Sequence, residues 1–187
     1  FDIGLQTLSA ALERGHEIVY LCYDNEAYMN TGIQRSGATP LFAKTKTTPG
    51  GKLERKKDIM KIIEAHGDIY ATTASIAYPQ DFLKKMEKAR ICGKPAFIHA
   101  LGPCPTGWEY DSHLTIKIAR LAVETGIQVL YEYENGHRTI SRLPKERKPI
   151  EEYISLQGRF DHLTPEQIAQ LQEEVNHRYE EIVTSAT

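Results

Sequence analysis

Cysteine is scarce in this chain, at 3 in 187 residues, and the count is odd. That argues against the disulfide framework of a secreted module. Charge of one sign is missing as well. The 23 Lys and Arg nearly balance the 25 Asp and Glu, leaving a net charge of −2, so nothing electrostatic favours nucleic acid or an anionic membrane as partner. No apolar run approaches the roughly 20 residues of a membrane span. Neither a secretory leader pattern nor an internal repeat is visible. The expectation is a cytoplasmic, reducing setting. The apolar share of 41% and the charged share of 26% suit one domain-sized unit with a sizeable core.

The first residues, Phe1-Asp2-Ile3-Gly4, run straight into helical periodicity. They read as a sequence entered mid-domain, and further polypeptide upstream is expected. Ile3–Arg14 places Leu5, Leu8, Ala11 and Leu12 at helical spacing, and Gly15 ends that helix. Glu17–Tyr23 reads as a buried strand. A long polar connection follows from Asp24 to Gly51, with Thr45–Gly51 as its mobile portion. Arg55–His66 is expected as helix, Asp68–Thr73 as strand, Pro79–Arg90 as helix and Lys94–Leu101 as strand. A rigid turn spans Gly102–Trp108, and His113–Thr125 is the next helix. Val129–Glu134 and Arg138–Ile140 form a hairpin across Asn135-Gly136.

Alternation of strand and helix predicts an α/β fold with a mostly parallel sheet and helices on both faces. The domain is placed at residues 1–141. Residues 142–187 are expected as a helical C-terminal extension, with helices at Pro149–Phe160 and Thr164–Thr184. Thr164-Pro165-Glu166-Gln167 is a capping box with Pro in the first turn. The extension shows no chemistry of its own and is expected to pack on the domain or on a neighbouring subunit. Arg142, Lys145, Arg147 and Lys148 read most simply as a solvated face. A docking patch for an acidic partner is the other reading.

Polarity switches abruptly at Asp24, just past the end of an apolar strand, where open α/β sheets collect their ligands. Asn25 can offer a neutral carbonyl oxygen to a hard cation, and Ala27 its backbone carbonyl. Asn30-Thr31-Gly32 can meet a phosphate or a polar substrate. A plain Asn-rich surface turn stands beside this reading, and composition leaves both open. Cys104, in Gly102-Pro103-Cys104-Pro105, is by itself more simply an inert half-buried thiol. The seven histidines make no metal pattern. His99 is the one of interest, with a satisfied core histidine as the favoured reading.

The segment from Asp24 to Ser36 resembles the second half of the thiamine diphosphate motif of 2-oxoacid:ferredoxin oxidoreductases, nearest to the β subunit of pyruvate:ferredoxin oxidoreductases. In that family a Gly-Asp-Gly opens the motif and an Asp-Ile-Gly follows shortly after. Asp2-Ile3-Gly4 matches the latter, so the Gly-Asp-Gly is expected upstream of Phe1. The resemblance implies a thiamin diphosphate-binding fold in which the Asn25 side chain and the Ala27 carbonyl complete a Mg²⁺ shell. Glu26, Tyr28, Met29 and Thr31 are implied at the cofactor, and Asn30 near the thiazolium as a catalytic polar group. His99–Pro105 is similar to the family segment carrying one thiolate of a [4Fe–4S] cluster, which makes Cys104 a cluster ligand. Such clusters need four cysteines, and Cys22 and Cys92 lack ligand spacing, so the other three are expected upstream.

The implied reaction is oxidative decarboxylation of pyruvate to acetyl-coenzyme A and CO₂, with electrons leaving to ferredoxin. No Glu suited to activating the aminopyrimidine is identifiable. An obligate hetero-oligomer with α-, γ- and δ-type subunits is therefore expected. A sister enzyme acting on 2-oxoglutarate, a branched-chain 2-oxoacid or oxalate is the alternative within the family. A non-catalytic interaction module of the same fold is the alternative outside it.

Overall fold

The computed structural model describes residues 1–186. Its strands are β1 (Val19–Asp24), β2 (Tyr70–Ser75), β3 (Ala96–Leu101), β4 (Leu130–Glu134) and β5 (His137–Arg142). They form one sheet in the order β1-β3-β2-β4-β5. β1, β3 and β2 are mutually parallel, with Val19 opposite Ala96 and Tyr70 opposite Ala96 at their starts. β4 runs antiparallel to β2, and β5 to β4. The hairpin turn is Asn135-Gly136, both with positive φ (53° and 82°), as a type I′ turn requires.

The helices are α1 (Leu5–Glu13), α2 (Ile59–Glu64), α3 (Pro79–Ile91), α4 (Pro105–Trp108), α5 (Thr115–Glu124), α6 (Glu151–Ile154) and α7 (Pro165–Thr184). Side chains alternate across a strand, and β3 shows the consequence. Phe97 packs with Leu8, Leu12, Ile59, Met60 and Ile63 of α1 and α2. Ala96, Ile98 and Ala100 pack with Ala89 of α3 on the opposite face. Helices thus cover both faces, as alternation predicts. Thr164 caps α7 with its side chain and Gln167 completes the reciprocal bond.

Several expectations are corrected. The apolar run at β1 reads as a buried strand, yet Val19, Tyr20, Leu21 and Tyr23 are 42–62% exposed. β1 lies at the sheet edge and pairs only with β3. Its composition is that of an interior parallel strand, but half of its surroundings are missing among the described residues. β4 is antiparallel because α5 does not cross a sheet face. Ile118, Leu121 and Ala122 pack with Leu101 and Trp108 at the carboxyl end of β3, so β4 starts from that end.

α2 begins at Ile59 rather than Arg55. Lys56 and Lys57 are drawn into ion pairs with acids elsewhere, and the Asp58 side chain caps the helix at the Lys61 N–H. The portion Thr45–Gly51 is a hydrogen-bonded turn closed by Thr45 and Thr48. Next to it, the Phe42 N–H donates to the Lys52 carbonyl and the Lys44 N–H to the Arg159 carbonyl. The expected helix Pro149–Phe160 is reduced to α6 and a 3₁₀ turn at Gly158–Phe160.

The C-terminal segment packs on this chain. Ile150, Tyr153, Ile154, Phe160, Leu171 and Val175 share a core with Leu41, Leu101 and Trp108. The basic run is not wholly a solvated face. Arg142 stacks over Tyr78 and half-buried Arg147 over Tyr179, while Lys148 pairs with Glu124 and Glu152. No helix among the described residues is long and apolar enough to cross a membrane.

Candidate functional site

The candidate segment leaves β1 at Asp24, at the carboxyl end of the parallel strands. Parallel β1 and β3 bring Leu101 opposite Asp24, and the turn after Leu101 carries Cys104 and Trp108. Two stretches remote in sequence therefore share one end of the sheet. Their packing is close. A Cβ at Gly107 would meet Met29 Sδ, and one at Gly102 the Tyr23 ring, so a side chain at either position would displace those neighbours.

A buried ionic cluster holds the segment. Asp24 Oδ2 is 2.6 Å from Lys56 Nζ and 2.9 Å from His99 Nε2. Glu26 Oε1 is 2.7 Å from Lys56 Nζ, and its Oε2 is 2.7 Å from an Arg159 guanidinium nitrogen. Side chains of Asp24, Glu26 and Arg159 are 2–3% exposed. Burial opposes ionisation of Asp24, but Lys56 and His99 outweigh it and hold the carboxyl well below the usual carboxylate range. Burial likewise works against the Lys56 ammonium, and Asp24 and Glu26 overcome it, raising its affinity for the proton. An unpaired charge at this depth would be costly; here each has a partner.

Glu26 sits at φ 68°, a left-handed conformation uncommon for a residue with a Cβ. Its N–H donates to Asp24 Oδ1 at 2.9 Å, and its carbonyl accepts from Thr39 Oγ1 at 2.7 Å. The indole N–H of Trp108 donates to the Asn25 carbonyl at 2.8 Å. The Arg159 guanidinium lies 3.8 Å over the Trp108 ring, and Trp108 is fully buried. Asn25 and Ala27 flank Glu26. Among the described residues, no hydrogen bond engages the Asn25 side chain or the Ala27 carbonyl. These two neutral oxygens fit a hard cation. They could supply only part of a shell, since no group of three or more His, Cys, Asp or Glu among the described residues could hold a metal ion.

The other sequence-predicted residues fall as follows. Tyr28 donates its hydroxyl to Asp2 Oδ2 at 3.0 Å. Met29 packs against the core around Trp108, beside half-buried Cys104. Asn30 and Thr31 are exposed, Thr31 Oγ1 bonding Gln34 at 3.0 Å. His99 is a satisfied core histidine, as favoured, though its partner is the Asp24 carboxylate. The cysteines are not brought together. Cys92 donates to the Ala89 and Lys94 carbonyls at the far end of β3. Cys22 lies within β1, where burial and the Asp24 charge push its thiol up to about 11.

Sequence reading missed Lys56 and Arg159. Lys56 sits in a run of basic residues and Arg159 in a tail without an evident motif, so neither left a local signal. Residues 142–187, which show no chemistry of their own in sequence, contribute Arg159 to the ion pair with Glu26.

Asp2 closes the other side. It accepts from the Gly37 N–H at 2.7 Å and Lys57 Nζ at 2.6 Å. Burial opposes ionisation, but these bonds and Tyr28 bring its pKa down to about 2. A depressed carboxyl adds stability above its unfolded value of about 3.9, and that contribution disappears as pH falls through about 2. Asp2→Asn should therefore flatten the loss of stability between about pH 4 and pH 2, read from urea midpoints against pH. An unchanged acid limb would show that Asp2 is not held in this way.

The family described as thiamine pyrophosphate enzyme, C-terminal TPP binding domain, matches residues 1–100. The chain is 53% identical over 186 residues to pyruvate synthase subunit PorB of Methanothermobacter marburgensis, covering 97% of this chain and 65% of that protein. It is 54% identical over 189 residues to ketoisovalerate oxidoreductase subunit VorB of Pyrococcus abyssi, covering 97% and 60%. The chain thus spans less than two thirds of the length of these relatives. Among solved structures it resembles a 2-oxoglutarate:ferredoxin oxidoreductase from Magnetococcus marinus with 2-oxoglutarate, coenzyme A and succinyl-CoA bound. The TM-score is 0.54 at 19% identity, over 64% of this chain and 48% of that one. That likeness concerns the fold.

Proposed function

The chain belongs to the thiamine pyrophosphate enzymes, through their C-terminal cofactor-binding domain, and from this premise we propose that it is the cofactor-binding portion of a 2-oxoacid:ferredoxin oxidoreductase β subunit acting on pyruvate. The observation that carries the reading is the pair of unengaged oxygens, the Asn25 side chain and the Ala27 carbonyl, on either side of an immobilised Glu26 at the carboxyl end of β1. In this reading they would hold part of the shell of the Mg²⁺ that accompanies the diphosphate. Glu26, Tyr28, Met29 and Thr31 form the wall behind it. Asn30, free at the surface of the loop, is the polar group offered to the substrate. Cys104 supplies one thiolate to a [4Fe–4S] cluster, and ligands outside this chain complete both metal sites.

When bound, thiamine diphosphate supplies the nucleophilic carbon for the 2-oxo group, and the cluster takes electrons one at a time. The protein's own work is positioning. Lys56 neutralises Asp24 and Glu26, so this chain brings little net negative charge to the anionic diphosphate. The acyl acceptor is coenzyme A and the electron acceptor ferredoxin. The chain works in the cytoplasm within a hetero-oligomer that provides the remaining surfaces.

The second reading, a branched-chain 2-oxoacid as substrate, is favoured by one observation. Identity to the ketoisovalerate subunit, 54%, is as high as that to the pyruvate synthase subunit, 53%. The test uses the full-length, assembled enzyme. It should bind Mg²⁺–thiamine diphosphate and reduce ferredoxin faster with pyruvate than with 3-methyl-2-oxobutanoate. Asn25→Ala should weaken cofactor binding on the order of 10- to 100-fold, the range of ligand-shell changes, by calorimetric titration. Unaltered affinity in that variant removes Asn25 from the shell, and a reversed substrate order selects the second reading.

A further inference from the structure

The buried cluster does more than neutralise charge. Glu26 is held from four directions: its N–H donates to Asp24, its carbonyl accepts from Thr39, Oε1 accepts from Lys56, and Oε2 lies 2.7 Å from the Arg159 guanidinium as an ion pair without a hydrogen bond. Residues with a Cβ enter the left-handed region when their surroundings over-determine them. Here the surroundings are two cations from distant parts of the chain. Arg159 acts on Glu26 directly and on Asn25 through Trp108, whose ring it covers at 3.8 Å and whose indole N–H holds the Asn25 carbonyl. The direction in which the Asn25 side chain and the Ala27 carbonyl leave the backbone is set by Glu26 between them. A buried ion pair alone would be weak grounds for a functional role; a pair that holds the one left-handed residue between two unengaged oxygens is stronger.

We propose that Lys56 and Arg159 are positioning residues that clamp Glu26 in its left-handed conformation, so that Asn25 and Ala27 present their oxygens to the cation that accompanies the diphosphate. The C-terminal segment is in this way a working part of the cofactor site. The proposal rests on the function proposed above. Arginine suits the task because one end of its planar guanidinium reaches the carboxylate while its face covers the indole, which lysine cannot do.

The test compares Arg159→Met, Arg159→Lys, Lys56→Met and a control, Val175→Ala, in the full-length assembled enzyme. Val175 belongs to the same core as Tyr153 and Phe160, and its apolar side chain carries no group that could pair with the cluster charges. Each variant is melted, and its affinity for Mg²⁺–thiamine diphosphate is titrated. Arg159→Met and Lys56→Met should lose about tenfold or more in affinity, as loss of an outer partner of a metal ligand does. Val175→Ala should lower the melting temperature while binding as wild type does. Arg159→Lys, which keeps the charge and loses the fork, should fall between, at about threefold. If the Arg159 variants, like Val175→Ala, lose melting temperature but bind the cofactor as wild type does, the clamp is wrong and the proposed function stands. If wild type itself does not bind the cofactor, both fall. Should Arg159→Met not assemble, wild-type affinity in Arg159→Lys overturns the clamp.

Discussion

Trp108→Ala should destabilise the protein by about 3–5 kcal/mol, the range for truncating a fully buried large aromatic side chain. Trp108 has no exposed surface and packs with Leu101, Ile118, Tyr153 and Phe160. Its removal also orphans the Asn25 carbonyl, which loses its indole donor, and uncovers the face on which Arg159 rests. At about 2–4 °C per kcal/mol for a domain of this size, the midpoint should drop by roughly 10 °C. Trp108→Phe keeps most of the packing and loses the donor, so it should cost about 1–3 kcal/mol. Urea unfolding of the full-length protein, followed by circular dichroism, measures both. An alanine variant within about 1 kcal/mol of wild type would mean that the turn after β3 does not rest on Trp108.

Cys104→Ser should remove most of the cluster-bound iron and the broad visible absorption of the assembled enzyme, since a [4Fe–4S] cluster is held by four thiolates. Serine is nearly isosteric, and Cys104 is only half-buried, so folding should change little. Cys22→Ser and Cys92→Ser are the controls and should retain the cluster. Cys22 lies in β1 with its thiol pushed up by burial, and Cys92 is engaged with two backbone carbonyls. Cluster-bound iron at the wild-type level in the Cys104 variant would refute its assignment as a ligand.

What could be read without coordinates follows from short-range chemistry. The 3.6-residue spacing of Leu5, Leu8 and Leu12, the capping box at Thr164 and the Asn135-Gly136 turn each concern residues a few positions apart, where backbone sterics and local hydrogen bonds decide. The place of Asn25 and Ala27 just past the end of β1 was legible for the same reason: polarity switches where the apolar strand stops. The misreadings share the opposite cause. β1 has the apolar composition of an interior strand, but what flanks a strand depends on sheet order, and here it has β3 on one side only. Thr45–Gly51 looked mobile because its bonds, among its own threonines and to Ile33 and Arg35, follow no local sequence pattern.

The polar segment after β1, the cysteine in its proline-flanked turn and the α/β alternation were determined by the sequence itself, because each is a local pattern. Tertiary structure alone decided that Lys56 and Arg159 meet around Glu26, and that Trp108 joins the Cys104 turn to Asn25. Charges leave no periodic trace in sequence. Their partners are chosen only when parallel pairing of β1 with β3 and packing of the C-terminal segment exclude water from the space between them.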